Sequence, residues 1–160
     1  MKSEAESPRE IADIIRELVE AWAIIVDHNN ALLIKTPEGL SPFGGSVTAV
    51  PENEERWTIY IQRAARERLQ NSAGEIGLSL SSLYPRFILE PYWSATKRRM
   101  LVGCAIPTVY FNQEIIAPEK AGLEIVSIDD LVGRKIDDQL VIGEDMRRLI
   151  QRIAHLVRIA

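Results

Sequence analysis

Glu67, Gln70 and Asn71 are the side chains whose types and spacing point most directly to chemistry. On a helix they stand at i, i+3 and i+4, which places them on one face. That face lies away from the apolar row Trp57, Ile61, Ala64 and Ala65, with Leu69 at its margin. A carboxylate and two amides can all offer oxygen to a hard cation. Only the carboxylate brings charge, and an amide cannot act as a general base at neutral pH.

Other reactive side chains are sparse. His28 falls in a predicted turn and His155 on the last helix, and neither has a cysteine or histidine at zinc-ligand spacing. There is no P-loop, no Gly-x-Ser-x-Gly elbow and no Gly-x-Gly-x-x-Gly fingerprint. Ser81 and Ser82 have no identifiable base. Lys97-Arg-Arg99 reads as a solvated turn before it reads as a phosphate holder. Tyr92 and Trp93, just ahead of it, read as core or edge aromatics before a stacking platform. The single cysteine, Cys104, sits in the apolar stretch Met100–Ile106 and reads as a core residue.

The elements that must position these groups follow from pattern. Ser7-Pro-Arg-Glu10 has the composition of a helix start, with serine as cap and glutamate at the capping-box spacing. Ile11, Ile14, Ile15, Leu18 and Trp22 continue at helical period. Ala21–Val26 and Ala31–Ile34 predict a hairpin around the turn Asp27-His-Asn-Asn30. Thr36–Gly45, rich in glycine and proline, predicts a shaped loop, and Ser46–Val50 a short strand. A helix is expected from Trp57 to Asn71, stopped by Asn71-Ser-Ala-Gly74, with Gly77 as the competing end. Strands follow at Phe87–Leu89, Met100–Phe111 and Leu123–Val126. A capped turn occupies Ser127–Leu131 and a last helix Glu144–Ile159. This order predicts an α/β fold with a mixed sheet and helices on both faces.

With 160 residues, 46% apolar and 26% charged, the chain has ordinary globular composition and can bury a core. A net charge of −4 and a pI near 5.3 argue against a general nucleic-acid surface. A lone thiol suits a reducing compartment. No apolar run approaches the roughly 18 residues of a membrane span, and the acidic N-terminus lacks the pattern of a signal peptide. A cytoplasmic location away from membranes is the expectation. The first helix is acidic (Glu10, Asp13, Glu17, Glu20) and the last basic (Arg147, Arg148, Arg152, Arg158). They are expected to pack within the chain, or else to serve a protein partner or a homodimer.

Taken in order, Ala21–Val26, Ala31–Lys35, Ser41-Pro-Phe-Gly-Gly45 and Ala64-Ala-Arg-Glu67 resemble a Nudix domain. Leu123–Leu131 is similar to that family's late strand and short helix. The resemblance spans about residues 21 to 157. It implies a Nudix-like α/β/α sandwich over 21–160, with residues 1–20 as an added N-terminal helix. It also implies a magnesium-dependent hydrolase of nucleoside diphosphate derivatives, with Gly44 and Gly45 in the turn before the motif helix and Arg66-Glu67 as its Arg-Glu pair. Gln70 and Asn71 then stand where two further glutamates belong.

Two registers stay open. The connection from Gly45 to Arg66 is several residues longer than the family's, and position 68 is arginine where an apolar residue is usual. The second register keeps Glu75 and Gly77 at the motif's end but puts Gln70-Asn71 in place of Arg-Glu. Glu67 and Glu75 are therefore the candidate metal ligands, with Gly44, Gly45, Gln70 and Asn71 as ligand-binding candidates. The leading expectation is a module with a depleted metal site that binds a nucleotide-like molecule, or acts in regulation or interaction, without hydrolysis. One rival is a divergent Mg²⁺-dependent hydrolase completed by Glu52, Glu54, Glu75 or Glu114. The other is a structural protein-interaction module acting through the terminal helices.

Overall fold

A computed structural model describes residues 19–49, 51–52, 54–81, 89–132 and 143–159. Its centre is β1 (Val19–Asp27), buried on both faces along most of its length, as the apolar run of an interior strand requires. The chain reverses at His28, which takes a left-handed φ of 55°. It returns as β2 (Asn30–Thr36), antiparallel, with Ile25 opposite Leu32. The short β3 (Gly39–Ser41) pairs the far end of β2. Next comes β4 (Phe43–Ser46), antiparallel to the first half of β1, where Ala21 faces Gly45 and Trp22 faces Gly44. On one side, β1 therefore meets β4 first and β2 afterwards.

On its other side β1 runs parallel to β6 (Arg99–Pro107), in register from Val19–Met100 to Val26–Pro107. β5 (Glu90–Ser94) forms the antiparallel edge beyond β6, and β7 (Leu123–Ser127) pairs β2. The seven strands form one mixed sheet around the path β3-β2-β1-β6-β5. The helices are α1 (Trp57–Glu75), the short α2 (Ile128–Val132) and α3 (Glu144–Ile159).

The two-residue period of the central strands builds a core on each face. Ala21, Ala23 and Ile25 of β1, with Val102, Cys104 and Ile106 of β6, pack against Tyr60, Ala64, Ala65, Leu69 and Ala73 of α1. Ile24 and Leu101 pack on the other side against Leu131, Leu149, Ile150 and Ile153. The result is an α/β/α sandwich. Gly103 has no side chain because α3 presses on it: an added Cβ would stand 2.6 Å from Ile153 Cδ1. Cys104 is a core residue, and burial pushes its thiol far above its ordinary pKa.

The expected helix ending at Asn71 runs on through Gly74 to Glu75. Its stop is a Schellman motif, in which Leu78 N–H donates to Ala73 O at 2.9 Å and Gly77 N–H to Gly74 O at 3.1 Å. Gly77 supplies the left-handed φ of 80°. Buried Leu78 then caps the core, which makes this stop stronger than the earlier polar one. The expected loop Thr36–Gly45 contains β3 and β4, and of the strand expected at Ser46–Val50 only Ser46 belongs to β4. The expected strand at Met100–Phe111 ends at Pro107 in a 3-10 turn, Thr108–Tyr110. Val19, Glu20 and Trp22, read with the first helix, lie in β1; residues 1–18 fall outside the described residues. So do Phe87 and Ile88 of an expected strand. No described helix is long and apolar enough to cross a membrane.

Candidate functional site

An arginine of α1 lies against the Gly-Gly segment on one face of the sheet, and a second arginine reaches the adjoining Ser46 on the other. On the α1 face, Arg68 Nη2 donates to the Gly44 carbonyl at 3.2 Å. The Ser72 hydroxyl, one helical turn on, stands 3.5 Å from the same oxygen. Arg68 also forms an ion pair with Glu75 at 3.7 Å, at the helix's last turn. Its side chain is 23% exposed, and its Nε is buried with no hydrogen-bond partner among the described residues.

The two glycines permit this approach in different ways. Gly44 has a φ of 145°, and an added Cβ would come within 2.0 Å of the Ala21 carbonyl oxygen. That contact is with backbone and cannot be relieved by a side-chain movement. Gly45 has a φ of 152°, and its added Cβ would meet the Arg68 guanidinium at 2.9 Å. Gly45 thus leaves room for the arginine, and Gly44 for β1.

On the opposite face, buried Glu20 accepts from Trp22 Nε1 and from Arg99 Nη1, both at 2.9 Å. Arg99 also reaches the Ser46 hydroxyl at 3.4 Å. Removing a charge such as Glu20 from water is tolerable because it is paired and hydrogen-bonded. The basic turn expected at Lys97–Arg99 is therefore divided: Lys97 and Arg98 are exposed, while half-buried Arg99 pairs with buried Glu20.

The start of α1 is anchored by a second ion pair. Arg63 Nε and Nη2 both donate to the Glu55 carboxylate at 2.8 Å, in the fork geometry suited to guanidinium. Arg63 is the main cause holding the Glu55 carboxyl at about 2, and the Glu52 backbone N–H adds to it. Tyr60 completes the anchor by donating its hydroxyl to Ala49 O at 2.6 Å.

The residues singled out from sequence are only partly assembled. Gly44 and Gly45 do face α1. Glu67 and Asn71 are exposed and Gln70 and Arg66 half-buried, so the face they share lies one row aside from Arg68 and Ser72. Glu75 pairs with Arg68, which in turn contacts Gly44. The arginine at position 68 stood out in the sequence, but its contact with Gly44 spans 24 positions and required the tertiary fold.

No protein-family model matches the sequence, and no curated protein does. Solved structures do resemble it. The E. coli ORF135 protein is 16% identical, with 88% of this chain and 90% of that one covered at a TM-score of 0.50. The shared fold is an α/β/α sandwich around a mixed sheet. The MutT Nudix hydrolase from Burkholderia pseudomallei is 18% identical over 85% of this chain and 97% of its own, at a TM-score of 0.47. The mutator MutT protein from Bacillus halodurans is 16% identical over 86% and 82%, at 0.48.

Gly77-Leu78 closes α1, and Glu75 is its last helical residue. A divalent metal is the usual companion of Nudix hydrolases, and Mg²⁺ wants several oxygen ligands with negative charge among them. Among the described residues no three His, Cys, Asp or Glu side chains converge. At Gly44 stands the Arg68 guanidinium, and the carboxylate of Glu75 is already paired with it. The described side chains do not fit a Mg²⁺ site at this position.

Proposed function

We propose that this chain is a Nudix-like module with a depleted metal site, which holds a nucleotide-type anion near Gly44–Gly45 without hydrolysing it. The observation that carries the reading is the Arg68 guanidinium lying against Gly44 and Gly45. A cationic group there disfavours a second cation close by, since like charges in a partly desolvated site repel strongly. It also supplies positive charge that needs no metal and has planar donors suited to phosphate oxygens.

The amides support the same reading. Gln70 and Asn71 add hydrogen-bonding capacity along α1 without adding a base to activate water. Glu67 is exposed beside them, one carboxylate where diphosphate cleavage through a metal calls for several.

The test is a calorimetric titration of a nucleoside diphosphate into the full chain, once with Mg²⁺ and once with EDTA. The reading expects equal affinity in both and its loss in Arg68→Met. Binding that appears only with Mg²⁺, or conversion of the ligand during the titration, overturns it. Binding of protein partners through the terminal helices, the interaction-module alternative, leaves both titrations silent and also overturns it.

A further inference from the structure

Arg68, Ser72 and Glu75 stand at i, i+4 and i+7 on α1, so they form one row along the helix. The row is tied to the Gly-Gly segment. Arg68 Nη2 donates to the Gly44 carbonyl at 3.2 Å, and the Ser72 hydroxyl stands 3.5 Å from the same oxygen. At the far end of the row, the Glu75 carboxylate lies 3.7 Å from that same Nη2.

This ion pair differs from the one that anchors the start of α1. Glu55 holds Arg63 through two hydrogen bonds of 2.8 Å, and its side chain is only 7% exposed. Glu75 makes ionic contact beyond hydrogen-bond distance, and its side chain is 65% exposed. Its carboxylate has no other partner among the described residues. Arg68 is the fixed member, since its bond to Gly44 remains if the carboxylate leaves. Glu75 is the loose one.

A carboxylate and a phosphate offer a guanidinium the same thing, anionic oxygens that accept its N–H groups. We infer that Glu75 is a tethered competitor at the proposed anion site: it pairs with Arg68 until a nucleotide phosphate takes its place. The inference rests on the anion-binding reading above and assigns a regulation to that site. The exchange swaps one ion pair for another, with no bond made or broken and no proton moved. Glu75, already largely in water, then turns fully to solvent. An exposed pair of this kind holds its arginine only part of the time, so removing the competitor should tighten binding about two- to sixfold.

The test is a calorimetric titration of a nucleoside diphosphate, in EDTA, into the full chain as wild type, Glu75→Gln and Glu75→Asp. Glu75→Gln removes the competing charge. Glu75→Asp keeps the charge but draws it back by one methylene, out of reach of Arg68. Both variants should bind more tightly than wild type, Glu75→Gln by about two- to sixfold. Wild type and Glu75→Gln binding with equal affinity would overturn the inference and leave the reading of the site standing. A gain in Glu75→Gln that Glu75→Asp does not share would assign the effect to charge at a distance, and would overturn it too. No binding by any of the three would remove the anion site itself, and the competitor with it.

Discussion

The guanidinium of Arg68 donates to the carbonyl oxygen of Gly44 at 3.2 Å, joining the motif helix to the strand that carries the Gly-Gly pair. A charge-assisted bond of this kind contributes about 1–3 kcal/mol when its partner is partly buried. Arg68→Met is expected to lower the urea midpoint correspondingly, with an unchanged m-value. A midpoint equal to wild type would show that the contact does not hold α1 to β4.

The neighbouring glycines should differ sharply. Gly44→Ala drives a Cβ to 2.0 Å from the Ala21 carbonyl and forces an unfavourable φ, so a loss on the order of 3–5 kcal/mol is expected. Gly45→Ala meets the end of a flexible arginine, although its φ is equally unfavourable for alanine. It should cost less than Gly44→Ala while displacing Arg68. Thermal unfolding of the two variants checks the order, and a larger loss for Gly45→Ala would contradict the packing described.

Acid should act on the anchor of α1. The Arg63 fork holds the Glu55 carboxyl at about 2, below its ordinary 4.5. A carboxyl with a depressed folded pKa stabilises the fold fully above its unfolded value and loses that contribution as pH falls through the folded one. The Tm advantage of wild type over Arg63→Met should therefore be greatest above pH 4.5 and shrink toward pH 2. A difference independent of pH across that window would remove Glu55 as the partner that matters.

Much of the frame was legible in the sequence. The hairpin of β1 and β2, the late strand β7 and the helix beginning at Glu144 all announce themselves by period and turn chemistry. What escaped was decided by long-range packing. The Gly74 stop lost to Gly77 because Leu78 could enter the core behind it. Glu20 looked like the polar face of a helix, yet it is a buried partner of Arg99, 79 positions away. The site was less legible still. Gly44 and Gly45 were recognisable, but nothing local showed that Arg68 and Ser72, rather than Glu67 and Asn71, would face them.

The central claim is that the Nudix-like site binds without hydrolysis. It is tested most directly by incubating the full chain with nucleoside diphosphate derivatives in Mg²⁺ or Mn²⁺ and following product release. The account predicts no turnover with either metal, from wild type or from Glu67→Gln. Metal-dependent turnover by wild type that disappears in Glu67→Gln would contradict it and restore a working hydrolase.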